Sequence, residues 1–172
     1  MRLYQRGFTL IEVLMVIVIM AIMMSLAMSS VSGNLPKWRA QGAANELVGM
    51  LQKARAVAVK RNKYTIVTFT GVNSPTACST GLYSDENNSM TYDAGDLKQY
   101  FIDYNTRFPG AYVKSVVDGS PTPANQTSII LQPDGTIRGT TVVMPISIVV
   151  SSTGTTATYR VLVERSGIAR IK

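Results

Sequence analysis

The sequence predicts an α+β protein in which a long N-terminal helix packs on an antiparallel β-sheet domain. Three observations predict it: residues 8–31 form an apolar run, residues 37–62 carry apolar side chains at helical spacing, and the chain from residue 64 onward is rich in Val, Ile, Thr and Tyr. We expect the first half of the long helix to be transmembrane and the second half to be amphipathic. The length of 172 residues is enough for one such domain with its anchor.

The apolar run reads FTLIEVLMVIVIMAIMMSLAMSSV and has Glu12 as its only charged residue. A helix rises about 1.5 Å per residue, so this run is long enough to cross a hydrocarbon layer of about 30 Å. Arg2 and Arg6 precede it, and positive charge on that side predicts a cytoplasmic N-terminus with the rest of the chain translocated. A secretory signal peptide is the alternative, but the small residues near the end of the run make only a weak cleavage site.

Glu12 needs a partner, because a carboxylate inside a membrane helix costs roughly 2.5–3.5 kcal/mol on insertion scales. It lies early in the run, close to the expected headgroup boundary. One suitable partner is the α-amine that a cut between Gly7 and Phe8 would create, contributed by a neighbouring subunit of an assembly. The alternative is that the Glu12 side chain reaches the membrane interface and has no further role.

Residues 6–13, RGFTLIEV, resemble the class III signal of type IV pilins and pseudopilins, in which a glycine precedes the cleavage site and a glutamate is the fifth residue of the mature chain. The resemblance implies that a prepilin peptidase cleaves after Gly7 and methylates the new amine on Phe8. Glu12 would then guide the subunit into a helical filament. Residues 1–7 would be a leader, and the loss of its two arginines would lower the formal charge from +7 to +5.

Residues 32–62 are predicted to form a kink followed by an amphipathic helix. Pro36 removes one backbone hydrogen bond and disfavours helix at Leu35, so we expect a kink or a short melted stretch between residues 32 and 36. Beyond it, apolar residues recur at helical spacing, which predicts a helix that packs on a sheet. They are Ala44, Leu47, Val48, Leu51, Ala54 and Ala58. A membrane-surface helix is less well supported, because this stripe is small and rich in alanine rather than aromatic.

Residues 63–172 are predicted to form the β-rich domain. The candidate strands span residues 64–70, 98–104, 111–117, 127–132, 142–151, 155–163 and 168–172. Pro133-Asp134-Gly135 predicts a turn between two short strands, and residues 152–155 predict a hairpin connection. Residues 71–97 and 118–126 are expected to be loops, with strand character between residues 77 and 83 left open.

Further segments resemble the GspH/FimT group of minor pilins and pseudopilins. They are AANEL at 43–47, QKARAVAVKRN at 52–62, LQPDG at 131–135 and SGIARIK at 166–172. The chain departs from its relatives in two respects: it lacks the tryptophans often seen in the middle region, with Trp38 on the helix instead, and it lacks the cysteine pair of many major pilins. The resemblance therefore implies a minor subunit.

The resemblance also implies a location and a set of partners. The chain would be a single-pass protein of the inner membrane, with a cytoplasmic N-terminus and a periplasmic C-terminal domain, before it enters a filament. Its partners would be other pilin or pseudopilin subunits, the prepilin peptidase, the inner-membrane assembly platform and membrane lipid. The leading hypothesis is a GspH-like minor pseudopilin of a type II secretion system, and the alternative is a FimT/FimU-like minor pilin of a type IV pilus.

The C-terminal segment raises a DNA-binding hypothesis. Some FimT-like proteins carry a Gly-Arg-x-Arg-x-Arg motif that contacts DNA, and residues 167–172 of this chain, GIARIK, keep one of its arginines at Arg170 and have Lys172 in the third position. Alternate residues of a strand face the same way, so Arg170 and Lys172 would address phosphates together, with Arg160 and Arg165 nearby. The alternative, which the degraded motif favours, is an edge strand that its charges protect from aggregation.

Catalysis and transition-metal binding have little support. The chain has no histidine and a single cysteine, Cys78, which excludes Ser-His-Asp catalysis, Cys-His catalysis and any intrachain disulfide. We therefore expect no enzyme, no catalytic residue, no cofactor and no metal site. Calcium binding is the alternative for one loop that is rich in carboxylates, but the loop lacks the spacing of a calcium site, so solvated carboxylates are the preferred interpretation. The residues concerned are Asp85, Glu86, Asp93 and Asp96. Cys78 is interpreted as a buried or loop thiol, with pairing between subunits left open.

Overall fold

The computed structural model describes residues 8–120, 126–138 and 143–172, except for the side chains of residues 27–30. Gly7 and the rest of the predicted leader lie outside the described residues. The chain divides into two compact units, residues 1–35 and residues 36–172. The second unit contains the amphipathic part of the N-terminal helix together with the strands described below.

A long helix, α1 (Leu10–Arg61), forms the N-terminal part of the described chain. It continues as helix through Pro36. Of the two expectations for residues 32–36, a kink or a short melted stretch, the melted stretch is therefore wrong. A proline inside a helix removes one backbone hydrogen bond, and this loss does not end α1. Among the described residues, no single helix is long and apolar enough to cross a membrane. The bent pair Leu10–Leu26 and Val31–Arg61 meets those criteria of length and composition when its two parts are taken together.

The part of α1 in the second unit is amphipathic, as the sequence predicted. Its buried residues are Ala40, Ala43, Ala44, Leu47, Met50, Leu51, Ala54 and Ala58. Val48 is partly buried against the same core, whereas the basic residues Lys53, Arg55 and Lys60 are exposed. From Ala43 onward, the buried side chains of the helix belong to the same core as side chains of the strands.

Strands and one short helix follow α1 in the second unit. They are β1 (Thr65–Thr70), β2 (Ser79–Ser84), β3 (Leu97–Asp103), α2 (Tyr104–Arg107), β4 (Ala111–Val117), β5 (Ser128–Leu131), β6 (Ile146–Ser152), β7 (Thr158–Val163) and β8 (Ala169–Ile171). Strand β2 occupies the segment whose character the sequence left open. Helix α2 was not predicted, although Asp103 caps it by accepting a hydrogen bond from the Asn105 amide at 3.0 Å.

The strands form two four-stranded antiparallel sheets, ordered β3-β2-β1-β5 and β4-β6-β7-β8, rather than one sheet. Side chains of both sheets share one core with α1, for example Val67 and Leu82 from the first sheet and Ile148 and Val161 from the second. Strand β5 pairs with β1 across about sixty intervening residues. Alternation of apolar and polar residues predicts that a strand exists but not which distant strand pairs with it. The division of the strands into two sheets therefore could not be predicted from the sequence.

Two predicted turns are confirmed. In the first, the Gly135 amide donates to the Gln132 carbonyl at 2.8 Å, and Leu131 forms an antiparallel bridge with Ile137. In the second, β6 and β7 form an antiparallel pair connected through a turn in which Gly154 has a φ of 82°. A positive φ of this size is costly for residues with a Cβ, which explains a glycine at this position.

Candidate assembly site

The described chain begins with an exposed residue and a capped helix. Phe8 is 81% exposed. The Glu12 amide donates to the Thr9 side-chain oxygen at 3.3 Å, which is the bond of a capping box, where a threonine N-cap is followed three residues later by a glutamate. Sequence reasoning missed the role of Thr9, although the spacing Thr-x-x-Glu before an apolar run is its signal. Gly7, the other half of the predicted cleavage site, lies outside the described residues.

The helix surface that follows is apolar and uncovered. Every described side chain from residue 8 to residue 26 is exposed, and the large apolar ones range from 47% exposed at Val13 to 83% at Leu10. Apolar surface in water costs about 25 cal/mol per Å², and soluble monomers rarely leave a patch of this size uncovered. The surface therefore requires a cover of lipid or of other apolar helices.

Two segments that resemble the GspH/FimT group meet against α1 in the second unit. Gly135 and Gly167 both have a positive φ, 81° and 74°. A Cβ on Gly135 would lie 3.1 Å from the Arg55 side chain, and a Cβ on Gly167 would overlap the Gly135 carbonyl oxygen. The Ile137 amide also donates to the Arg165 carbonyl at 2.9 Å. The two turns and the stem of Arg55 thus form one junction, which we call the glycine junction.

A second contact holds α1 to β3 and α2. The Tyr100 hydroxyl donates to the Glu46 carboxylate at 2.8 Å and accepts from the Arg107 guanidinium at 3.1 Å. Arg107 also forms an ion pair with Glu46 at 2.9 Å. The Lys53 ammonium lies 4.5 Å from the centre of the Tyr100 ring, within the range of a cation–π contact. These four side chains, the Tyr100 network, connect the exposed side of the helix with the edge strand of the first sheet.

The predicted DNA-binding residues lie at the edge of the second sheet. Arg170 pairs with Leu162 of β7, and the Lys172 amide donates to the Arg160 carbonyl at 2.8 Å. Arg160, Arg170 and Lys172 are exposed and therefore share the outer face, opposite the buried residues of the same strands. Arg165 lies outside β7 and β8, in the turn between them. Arg170 is also 2.5 Å from the Glu164 carboxylate, so a phosphate would have to compete with this ion pair.

The acidic loop does not have the geometry of a calcium site. Among the residues that the structure describes, no group of three or more potential ligands could hold a metal ion. The Asp85 carboxylate is fully buried and accepts hydrogen bonds from the Ser89 and Met90 amides at 3.2 and 2.8 Å. The interpretation of solvated carboxylates is therefore wrong for Asp85. Its side chain organises the loop by satisfying backbone amides.

The other acids of this loop are also engaged. Glu86 pairs with Lys63 at 2.6 Å and Arg61 at 3.1 Å, and the Lys63 hydrogen bond holds the pKa of the Glu86 carboxyl below its ordinary value. The Asp93 carboxylate accepts from the Asn87 side chain at 2.7 Å, which lowers its pKa. Asp96 accepts from the Asp93 amide at 3.0 Å. The carboxylates of the loop thus form hydrogen bonds within it, and Glu86 pairs it with the end of α1 and with Lys63.

Two family models match this chain. One is described as the prokaryotic N-terminal methylation motif and matches residues 2–28. The other is described as type II transport protein GspH and matches residues 43–167, which is more than half of the chain. The chain belongs to the GspH family.

Solved structures share the fold of this GspH-family chain at low sequence identity. The minor pseudopilin EpsH from the type 2 secretion system of Vibrio cholerae is 15% identical, with a TM-score of 0.52 over 78% of this chain and 96% of that one. The type IV minor pilin FimU of Pseudomonas aeruginosa is also 15% identical, with a TM-score of 0.50 over 77% of this chain and 87% of that one. At this identity the likeness establishes the fold alone. A comparison with curated protein sequences gave no match.

Membership of the GspH family identifies the chain as a GspH/FimT-like minor pseudopilin, which confirms the resemblance found in the sequence. The family consists of structural pilin and pseudopilin proteins, which assemble with one another. The methylation motif and the apolar N-terminal helix indicate membrane anchoring and incorporation into a filament.

Cys78 is buried in this GspH-family chain, one of the two positions that the sequence allowed. Its sulfur accepts a hydrogen bond from the Val113 amide at 3.2 Å. Burial raises the pKa of the Cys78 thiol above its ordinary value. A buried thiol with a raised pKa is a poor nucleophile, so the structure gives no support to a disulfide between subunits.

Proposed function

We propose that this chain is a GspH-like minor pseudopilin, incorporated into the pseudopilus of a type II secretion system that exports proteins across the outer membrane. The observation that carries the proposal is the presence, on one chain, of the N-terminal methylation motif at residues 2–28 and the type II transport protein GspH match at residues 43–167. The uncovered apolar surface of residues 10–26 supports it, because a filament subunit needs such a surface.

The chain begins as a precursor in the inner membrane. It crosses once, through a transmembrane helix over residues 8–31, with the N-terminus in the cytoplasm and the β-rich domain in the periplasm. The prepilin peptidase cleaves after Gly7 and methylates the amine of Phe8. Removal of residues 1–7 takes away two positive charges close to the membrane and leaves a mature chain that begins with Phe8.

Assembly then replaces lipid with protein around the apolar helix. The assembly platform extracts the subunit, and the side chains of residues 10–26 pack on the helices of neighbouring subunits. The carboxylate of Glu12 pairs with the methylated amine of Phe8 on a neighbour, which relieves two charges that would otherwise be buried alone. The exposed position of Phe8 and Glu12 at the start of α1 is compatible with this contact.

Deletion of the gene tests the proposal. In a deletion strain, we expect secreted enzymes to accumulate in the periplasm and the amount of sheared surface pili to stay unchanged, and a plasmid copy should restore secretion. Normal secretion with a loss of pili would contradict the proposal and assign the chain to a type IV pilus. A copy with Cys78→Ser, which changes a buried atom unrelated to assembly, serves as a control and should complement.

A second candidate, a FimT/FimU-like minor pilin that binds DNA, is favoured by the exposed face that carries Arg160, Arg170 and Lys172. The test is a titration of duplex DNA binding against salt, since phosphate contacts make affinity fall steeply as ionic strength rises. Replacing Arg170 and Lys172 by Gln should then reduce the salt dependence. The matched control replaces Lys60 and Lys98, which changes the net charge equally. Equal losses in both variants would indicate non-specific attraction to a basic protein.

A further inference from the structure

The end of the second unit at which Pro36 lies is basic and carries an exposed tryptophan. Lys37 and Trp38 are exposed, with Trp38 at 55%, and Arg39 is partly buried. Trp38 lies on the side of the helix opposite the buried alanines, since residues 40, 43 and 44 mark the core face and the helix turns about 100° per residue. It is the only tryptophan of the chain. Its ring and indole N–H are therefore accessible from outside the second unit.

Three segments meet at this end of the second unit: the start of its helix, the turn at residues 109–110 and the turn at residues 153–154. The Arg39 guanidinium donates to the Pro109 carbonyl at 3.1 Å. A Cβ on Gly154, in the turn between β6 and β7, would lie 3.7 Å from the Pro36 ring. The Thr153 amide donates to the Gly110 carbonyl at 2.8 Å, which connects the two turns. These contacts join the start of the helix to both turns.

The charge of this surface is positive. The sequence has no acidic residue between Glu12 and Glu46. Among the described residues, no ion pair involves Lys37 or Arg39. The acids on the elements that form this end are Glu46, which is paired with Arg107, and Asp103, which caps α2. Among the described residues, no carboxylate therefore neutralises Lys37 or Arg39, and both can attract an anion.

We propose that this surface rests on anionic lipid headgroups while the subunit waits in the membrane, with Trp38 at the interface and Lys37 and Arg39 on the phosphates. The proposal rests on the membrane anchoring proposed above. Trp38 follows the apolar run by seven residues, which is about 10 Å of helix. Helical side chains lean toward the N-terminus, here back toward the apolar run, so they extend into the headgroup layer. Tryptophan favours that layer, and basic side chains are attracted to anionic lipid.

The single tryptophan makes the test direct, because its fluorescence reports on Trp38 alone. The full chain is reconstituted into vesicles of phosphatidylcholine, with or without phosphatidylglycerol, and flotation measures insertion. Lipids brominated near the headgroup measure contact of Trp38 with the interface, and acrylamide measures its contact with water. In the anionic vesicles, we expect strong quenching by the brominated lipid and protection from acrylamide. Both effects should weaken in neutral vesicles.

Charge variants complete the test. Replacing Lys37 and Arg39 by Gln should weaken the docked state by about fivefold per residue, while Lys60→Gln with Lys98→Gln should leave it unchanged. The proposal would be overturned if the vesicles float but acrylamide quenches Trp38 equally in both lipids. The surface would then be a candidate site for a protein partner. Equal lipid quenching in neutral and anionic vesicles would overturn the role of the two cations. Failure to float would overturn the membrane anchoring itself, and the docking with it.

Discussion

Thr9 and Glu12 meet in the first turn of α1, and their side chains have separable roles. Thr9 caps the helix by accepting the Glu12 amide. That bond uses the backbone of Glu12 and leaves the carboxylate available for a neighbouring subunit. The proposed role in assembly and the observed role in capping therefore belong to different atoms, and substitutions can separate them.

We predict that Glu12→Ala is processed normally but is excluded from the filament, whereas Thr9→Ala still enters it. The first variant loses the carboxylate that pairs with the Phe8 amine of a neighbour, and the second loses about 1 kcal/mol of capping only. Mass spectrometry of the mature N-terminus measures processing, and the amount of the chain in sheared filaments measures assembly. Equal incorporation of the two variants would rule out the docking role of Glu12.

Gly167→Ala should destabilise the second unit by about 1–3 kcal/mol, because the residue has a positive φ and its Cβ would meet the Gly135 carbonyl. Gly49→Ala is the matched control: it lies inside α1 with open space around it, so the same added methyl should stabilise by about 0.5–1 kcal/mol. Denaturant unfolding in detergent measures both. A neutral Gly167→Ala would mean that the glycine junction does not constrain the fold.

Glu86 supplies a prediction on acid stability. Its pKa is lower in the folded chain than its ordinary value of 4.5, so its pairing with Lys63 stabilises the fold above that pH and is lost as the pH falls below it. We expect the melting temperature of Glu86→Gln to fall less steeply with acidification than that of the parent chain. The two curves should converge at the acid end. Parallel curves would show that the pair does not contribute to stability.

At the level of single residues, the sequence predicted what local chemistry determines. The Pro133-Asp134-Gly135 turn and the buried stripe of α1 follow from residue types at fixed spacing, and both are present. The burial of Asp85 could not be predicted in this way, because it depends on amides of its own loop that fold back on it. The contact between Gly135 and Gly167 joins two turns about thirty residues apart, which no local pattern reports.

At the level of elements, helix α1 is attached to the strands by an apolar stripe and by the Tyr100 network. The apolar stripe buries surface area, but its alanine side chains are too small to determine where along the strands the helix lies. The hydroxyl of Tyr100 is bonded to Glu46 on the helix and to Arg107 on α2, which sets the position of the helix along the strand. A network of this kind adds specificity to the packing.

Tyr100→Phe tests the network, since it removes the hydroxyl and keeps the ring beneath Lys53. We expect a loss of about 1 kcal/mol in the free energy of unfolding, the usual value of a hydrogen bond in a folded protein. The loss should shrink when Arg107 is replaced by Gln, because residues of one network are coupled. Strictly additive losses in a double-mutant cycle would contradict the coupling.

Apart from β2, whose segment the sequence left open, the strands were predicted to within a few residues. Their arrangement in two sheets was not predicted. Strand β5 pairs with β1, and Leu131 at its end forms an isolated antiparallel bridge with Ile137. Helix α2 was missed because its four residues carry no apolar period, although the Asp103 cap could have indicated it. The helix continues through Pro36, where a proline removes only one backbone hydrogen bond.

At the level of the whole molecule, two features distinguish a filament subunit from a soluble domain. The second unit has its own core of helix and strands, and residues 10–26 leave an apolar surface uncovered. The methylation motif and the GspH family match lie on the corresponding parts of the chain. The proposed function uses these features separately: lipid and later other subunits would cover the apolar surface, while the second unit would keep its own core.

The proposed function requires the chain to enter the secretion pseudopilus as a processed subunit. The most direct measurement is mass spectrometry of pseudopili sheared from cells that overproduce the major pseudopilin. We predict that the filaments contain this chain as a minor component that begins with N-methylated Phe8, and that the Glu12→Ala chain is absent from them. Recovery of the chain only in type IV pili, or only in membranes with residues 1–7 still attached, would contradict the proposed function.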